Sequence, residues 1–80
     1  MNAMHERVAL CFTHVFPGIK TDEIPSASTA ALANWNSMAH VTLLSSLSEE
    51  FGVDFEIEDY EELVSYSAIV DYLKKKFPDA

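Results

Sequence analysis

The chain has 80 residues, with 13 acidic against 5 basic side chains and a net charge of −8. That balance argues against nucleic-acid backbones and anionic membranes, both of which recruit Lys and Arg, and leaves basic protein partners or plain solubility as its meaning. The length predicts one domain over residues 1–80 with a small, tightly packed core, and the lone Cys11 excludes an intramolecular disulfide.

The first element is predicted over Ala3 to Phe16, where Met4, Val8, Cys11, Phe12 and Val15 recur on one helix face. Pro17 and Gly18 end it. From Gly18 to Asn36 the apolar periodicity lapses, and the stretch reads as a long loop, of a length that is often functional. A second helix is expected from Asn36 or Ser37 to Gly52, with Val41, Leu44, Leu47 and Phe51 inward and Met38 and Leu43 at the edges. Phe55 and Ile57 alternate with acidic residues. This is the pattern of a short strand, but it has no partner strand, so an extended loop with two inward anchors is expected. A short third helix follows over Glu58 to Leu63, with Asp59 as its N-cap. The last runs from Tyr66 to Lys76, capped by Ser65. Tyr66, Ile69, Val70, Leu73 and Phe77 share its face, and Lys74, Lys75 and Lys76 complement the dipole of its final turn. The fold class is therefore all-α: a bundle of three main helices and a short third one, with a long first loop.

Nothing in the chain reads as a membrane span or signal peptide, and the expectation is a soluble cytoplasmic protein without nucleic-acid or membrane partners. The sequence holds no convincing catalytic triad, phosphate-binding glycine loop or metal cage, so it does not read as an enzyme. Cys11 and His14 stand i, i+3, but two ligands are too few for a structural zinc site, and Cys11 also fits the apolar face.

The informative stretch is Trp35-Asn36-Ser37-Met38. Asn and Ser at a helix start are ordinary capping residues. Trp35 suits either a core anchor for the long loop or a surface contact for a partner. His40 suits either a partly buried histidine bonded to the first loop or a contact to an anion at the helix end. The acidic residues are either a solvated face or a docking surface for Arg and Lys.

With "WNSMAHVTLLSSLSEEFGVDF" and the downstream "EELVSYSAIVDYLKKK", the chain resembles the acyl carrier protein family and its peptidyl-carrier relatives, over nearly its whole length. The resemblance implies a four-helix bundle that is not itself a catalyst. It implies that Ser37 receives a 4′-phosphopantetheine arm from coenzyme A through a phosphopantetheinyl transferase, with Asn36 and Met38 flanking the attachment. The arm's thiol then carries an acyl or aminoacyl thioester between loading and acyl-transferring enzymes, in a specialised fatty-acid, polyketide or related pathway. Partner contacts are expected at Trp35, Met38, Glu49, Glu50, Glu56, Glu58 and Asp59, and a monomer is expected. A shallow apolar cleft lined by Leu44, Leu47, Phe55, Ile69 and Leu73 is expected to hold the cargo. The sequence departs from the family's Asp-Ser-Leu triplet at Asn36 and Met38, and the outer face of the second helix carries Thr42, Ser45, Ser46 and Ser48 in place of carboxylates. Two other readings stand beside this one: an unmodified carrier-like module that binds basic protein partners, and a small ligand- or metal-binding bundle using Cys11 and the histidines.

Overall fold

A computed structural model describes residues 3–78. The chain forms α1 (Ala3–Val15), a 3-10 helix (Thr21–Ser26), α2 (Ser37–Phe51), α3 (Ile57–Glu62) and α4 (Tyr66–Lys76). Among the described residues there is no strand; an isolated antiparallel bridge joins Ser28 to Ser65. The fold is all-α, as its patterning predicts.

The stripe of α1 is buried as expected, through Met4, Val8, Cys11 and Phe12. Phe12 is the aromatic hub: Trp35 and Tyr66 meet it edge-on, with ring centroids at 5.4 and 5.7 Å. Such edge-to-face contacts add to the area the rings bury. Leu43, Leu44 and Leu47 of α2 and Ile69 and Leu73 of α4 are fully enclosed around it. The amide of Gly52, at φ 66°, donates to the Ser48 carbonyl and ends α2 in the left-handed conformation that glycine adopts without steric cost. Arg7 clamps the same end. Its Nε lies 2.7 Å from Glu50 Oε2, its Nη2 donates to the Glu50 carbonyl at 2.6 Å, and its guanidinium lies over the Phe51 ring.

Three expectations are corrected. The long connection is not structureless, because it contains the 3-10 helix and buries Ile24, Ala27 and Trp35. Its anchors are too sparse to give a period, and their backbone partners are remote: the Tyr66 amide donates to Ala27 and the Thr29 amide to Val64. The face of α2 is rotated from the expected one. Leu43 is fully buried and Val41 is 51% exposed. Residues two apart on a helix point about 200° apart, so enclosing Leu43 turns Val41 outward. The third helix begins at Ile57 with Glu56 as N-cap, earlier than predicted, and Asp59 stands inside it. Phe55 is half-buried against Tyr72, whereas Ile57 is 80% exposed. The alternation that would have turned both residues inward ends where the helix starts, and Tyr60 and Leu63 supply the inward contacts instead.

Leu47→Ala is expected to cost about 2–5 kcal/mol in urea denaturation, because it leaves a cavity under α2. Val41→Ser, on the exposed side of the same helix, is expected to stay within about 0.5 kcal/mol of the parent.

Candidate functional site

Ser37 is the first residue of α2 and is exposed. Asn36 precedes it with extended backbone, its Oδ1 accepting from the Ala39 amide at 2.9 Å. The first amides of a helix have no acceptor within the helix. Asn36 satisfies that of Ala39 and leaves those of Ser37 and Met38 directed out of the helix end, beside the Ser37 hydroxyl. No acidic residue lies in this first turn. The positive end of the helix dipole is therefore not offset there by a side-chain carboxylate, and an anion on Ser37 Oγ would be favoured.

Beneath this turn lies a short polar chain. Trp35 Nε1 donates to His40 Nδ1 at 3.0 Å. Since Nδ1 accepts, the ring proton sits on Nε2, which faces the Tyr60 carbonyl of α3 at 2.6 Å. His40 thus ties the end of the long loop to α2 and α2 to α3. It is the histidine bonded to the first loop, and its two ring nitrogens are engaged within the fold. Trp35 is only 3% exposed, so it is a core anchor and not a partner contact.

The acidic residues divide by what they touch. Glu50 spends its carboxylate on Arg7. Asp59 Oδ2 accepts from the Glu56 amide at 2.8 Å and from the Tyr72 hydroxyl at 3.1 Å. Both were expected to meet partners, and in this structure both bind groups of their own chain. Glu49, Glu56 and Glu58 are exposed, as are Glu61 and Glu62. Met38 is 80% exposed. Val41 and Ile57 join it as exposed apolar residues that sequence reasoning missed, having assigned both to the interior.

Of the expected cleft residues, Leu47, Ile69 and Leu73 are sealed in the core, while the fully buried Leu44 and the half-buried Phe55 back an open groove of about 320 Å³ at the α2–α3 side. Ser45, Ser48, Glu49, Asp54 and Tyr60 complete its lining. A second groove of about 480 Å³ lies across the bundle between α1, the 3-10 helix and Tyr66, where Ala9, Leu10, Ile24 and Pro25 form its walls. Cys11 is buried while His14 is exposed. Burial pushes the Cys11 thiol up, partly offset by a hydrogen bond with Ser46. Among the described residues no three potential metal ligands come together, and no helix is long and apolar enough to cross a membrane.

No family model matches the chain. It is 33% identical over 55 residues to an acyl carrier protein of Desulforapulum autotrophicum, an alignment covering 69% of this chain and 71% of that protein. It is 36% identical over 53 residues to an acyl carrier protein of Thermosynechococcus vestitus, covering 66% of this chain and 65% of that protein. The chain belongs to the acyl carrier protein family, and its role is that of a carrier.

Two outcomes follow from this geometry. Asn36→Ala is expected to lower the unfolding free energy by about 1 kcal/mol through the lost cap, while Asn36→Asp keeps it, since a carboxylate caps the same amide. At neutral pH, Cys11 of the native apo-protein is expected to resist iodoacetamide over hours and to alkylate within minutes once unfolded in urea, read by intact mass.

Proposed function

We propose that the protein carries an acyl or aminoacyl group as a thioester on a 4′-phosphopantetheine arm attached to Ser37, serving a specialised fatty-acid, polyketide or related pathway in the cytoplasm. The observation that carries this reading is the exposed Ser37 hydroxyl in a first helical turn free of carboxylates. In the modification, a bond forms between Ser37 Oγ and the phosphorus bearing the pantetheine, and the pyrophosphate linkage of coenzyme A breaks. The hydroxyl proton passes to a base of the transferase, and 3′,5′-ADP leaves. The arm supplies a thiol that bonds cargo reversibly. The chain itself presents the hydroxyl, holds the phosphodiester at the positive end of α2 and keeps the first turn rigid through the Asn36 cap and the His40 bonds.

The surface around Ser37 suits enzymes that would load and unload the arm. Met38 and Val41 lie on the outer side of α2, and Ile57, Glu56, Glu58, Glu61 and Glu62 belong to α3 and its cap. A transferase or acyl-transferring enzyme that meets them would place apolar side chains against the first group and Arg or Lys against the carboxylates. The charges would set orientation and association rate more than affinity. The carrier is read as a monomer that visits these enzymes in turn.

Incubation with coenzyme A, magnesium and a broad-specificity phosphopantetheinyl transferase is expected to add one phosphopantetheine to the wild-type mass and none to Ser37→Ala. No gain in the wild type, with transferases of the source organism included, would overturn the carrier arm and leave Ser37 as the first residue of a capped helix.

A further inference from the structure

His40 is held by two bonds that only a neutral ring can make together. Nδ1 accepts from the Trp35 indole N–H at 3.0 Å, and Nε2 donates to the Tyr60 carbonyl at 2.6 Å. An indole nitrogen donates and does not accept. A second ring proton would sit on Nδ1 and point at another donor. Trp35 is only 3% exposed, so its N–H finds no water when the ring turns away, and a buried donor without a partner is costly. The groups packed against the ring do not offset this. From the loop it meets the indole at 5.8 Å between centroids, and from α3 the Tyr60 phenol ring edge-on at 6.0 Å. Among the described residues no carboxylate comes within ion-pair distance of either ring nitrogen. On α3, Asp59 is bonded to the Glu56 amide and the Tyr72 hydroxyl; on α2, Glu50 is bonded to Arg7; Glu49 and Asp54 line the open groove that Tyr60 shares. The net charge of −8 draws protons to every histidine of the chain, but salt screens it beyond about 10 Å. The facing indole N–H acts on His40 alone.

We propose that His40 is a proton-sensitive latch: a second proton on its ring breaks the bond to Trp35 and unties the end of the long loop from the helix that Ser37 heads. In the unfolded chain nothing faces Nδ1, so the unfolded state binds this proton more readily. Stability is therefore lost as the pH falls through about 6.5, the ordinary histidine range. The end of the molecule that presents Ser37 is best ordered at neutral pH and above. The latch does not require that Ser37 bear an arm.

The test is urea unfolding of the full unmodified chain, read by circular dichroism at pH about 7.5 and about 5.5, on either side of that range. It compares the wild type with His40→Gln and Trp35→Phe. A glutamine amide both accepts and donates but takes up no proton, and His5, His14 and the carboxylates are common to all three proteins. One proton bound preferentially by the unfolded state lowers the folded-to-unfolded ratio by up to about tenfold per pH unit. Between the two pH values the wild type is expected to lose about 3–10-fold more of that ratio than His40→Gln. Trp35→Phe leaves no donor facing Nδ1. It is expected to fall between the two, and it carries the comparison with the wild type should His40→Gln not fold. A wild type whose pH response matches that of His40→Gln would overturn the latch. So would a Trp35→Phe variant that responds to pH as the wild type does, because the indole bond would then not be the sensor. Failure of the transferase to modify Ser37 sinks the carrier arm and leaves the latch standing.

Discussion

The hydrogen-bonded run from the Trp35 indole through His40 to the Tyr60 carbonyl is the constraint on which the end of the molecule that presents Ser37 depends. Each bond on its own contributes about 0.5–1.5 kcal/mol. Their importance is positional. Trp35 is held by the aromatic hub at Phe12 and Phe16, His40 belongs to the helix that Ser37 begins, and Tyr60 belongs to α3, which buries no residue completely. One imidazole therefore fixes the last residues of the long loop, the first turn of α2 and the position of the least-anchored helix. A single donor and a single acceptor on opposite sides of a ring suit that task, because a neutral histidine can accept at one nitrogen while donating at the other.

The rest of α3 is held in the same polar manner. Asp59 accepts from the Glu56 amide at the helix start and from the Tyr72 hydroxyl on α4, and burial raises the Tyr72 phenol, with the bond to Asp59 adding to the effect. At the far end of α2, Ser48 donates to the Val53 carbonyl and Arg7 holds Glu50. Among the described residues no buried side-chain nitrogen or oxygen lacks a partner. The molecule thus has two regimes. An apolar centre of α1, α2 and α4 supplies stability, and a hydrogen-bonded flank of α3 and its connections supplies geometry next to Ser37. Elements held mainly by hydrogen bonds at the surface open more readily than a packed core.

This division also accounts for the surface. The carboxylates of Asp59, in the flank, and of Glu50, at the far end of α2, are engaged in internal bonds. Those that remain exposed along α3 surround the outward Ile57, while Met38 and Val41 face outward from α2.

Much of the fold was legible in the residues themselves. The stripe of α1, the Gly52 stop, the Ser65 cap and the whole of α4 are local features, set by period, cap chemistry and glycine conformation within a few residues. The candidate serine at the head of α2 was legible only through the chain's resemblance to a known family, since cap chemistry alone marks an ordinary helix start. What tertiary structure alone decided concerns pairs distant in the chain. Whether Val41 or Leu43 turns inward depends on where α1 and α4 lie against α2, and a helical stripe broad enough to admit both does not choose between them. The order in the long loop comes from the Tyr66 and Thr29 amides and from Phe12, none of which the loop's own composition announces. His40 could be placed near the first loop from sequence, but its second bond, to a carbonyl twenty residues away, could not. Backbone carbonyls are present at every residue, so the sequence carries no mark of which one a side chain will find; only the packing of α3 against α2 selects it.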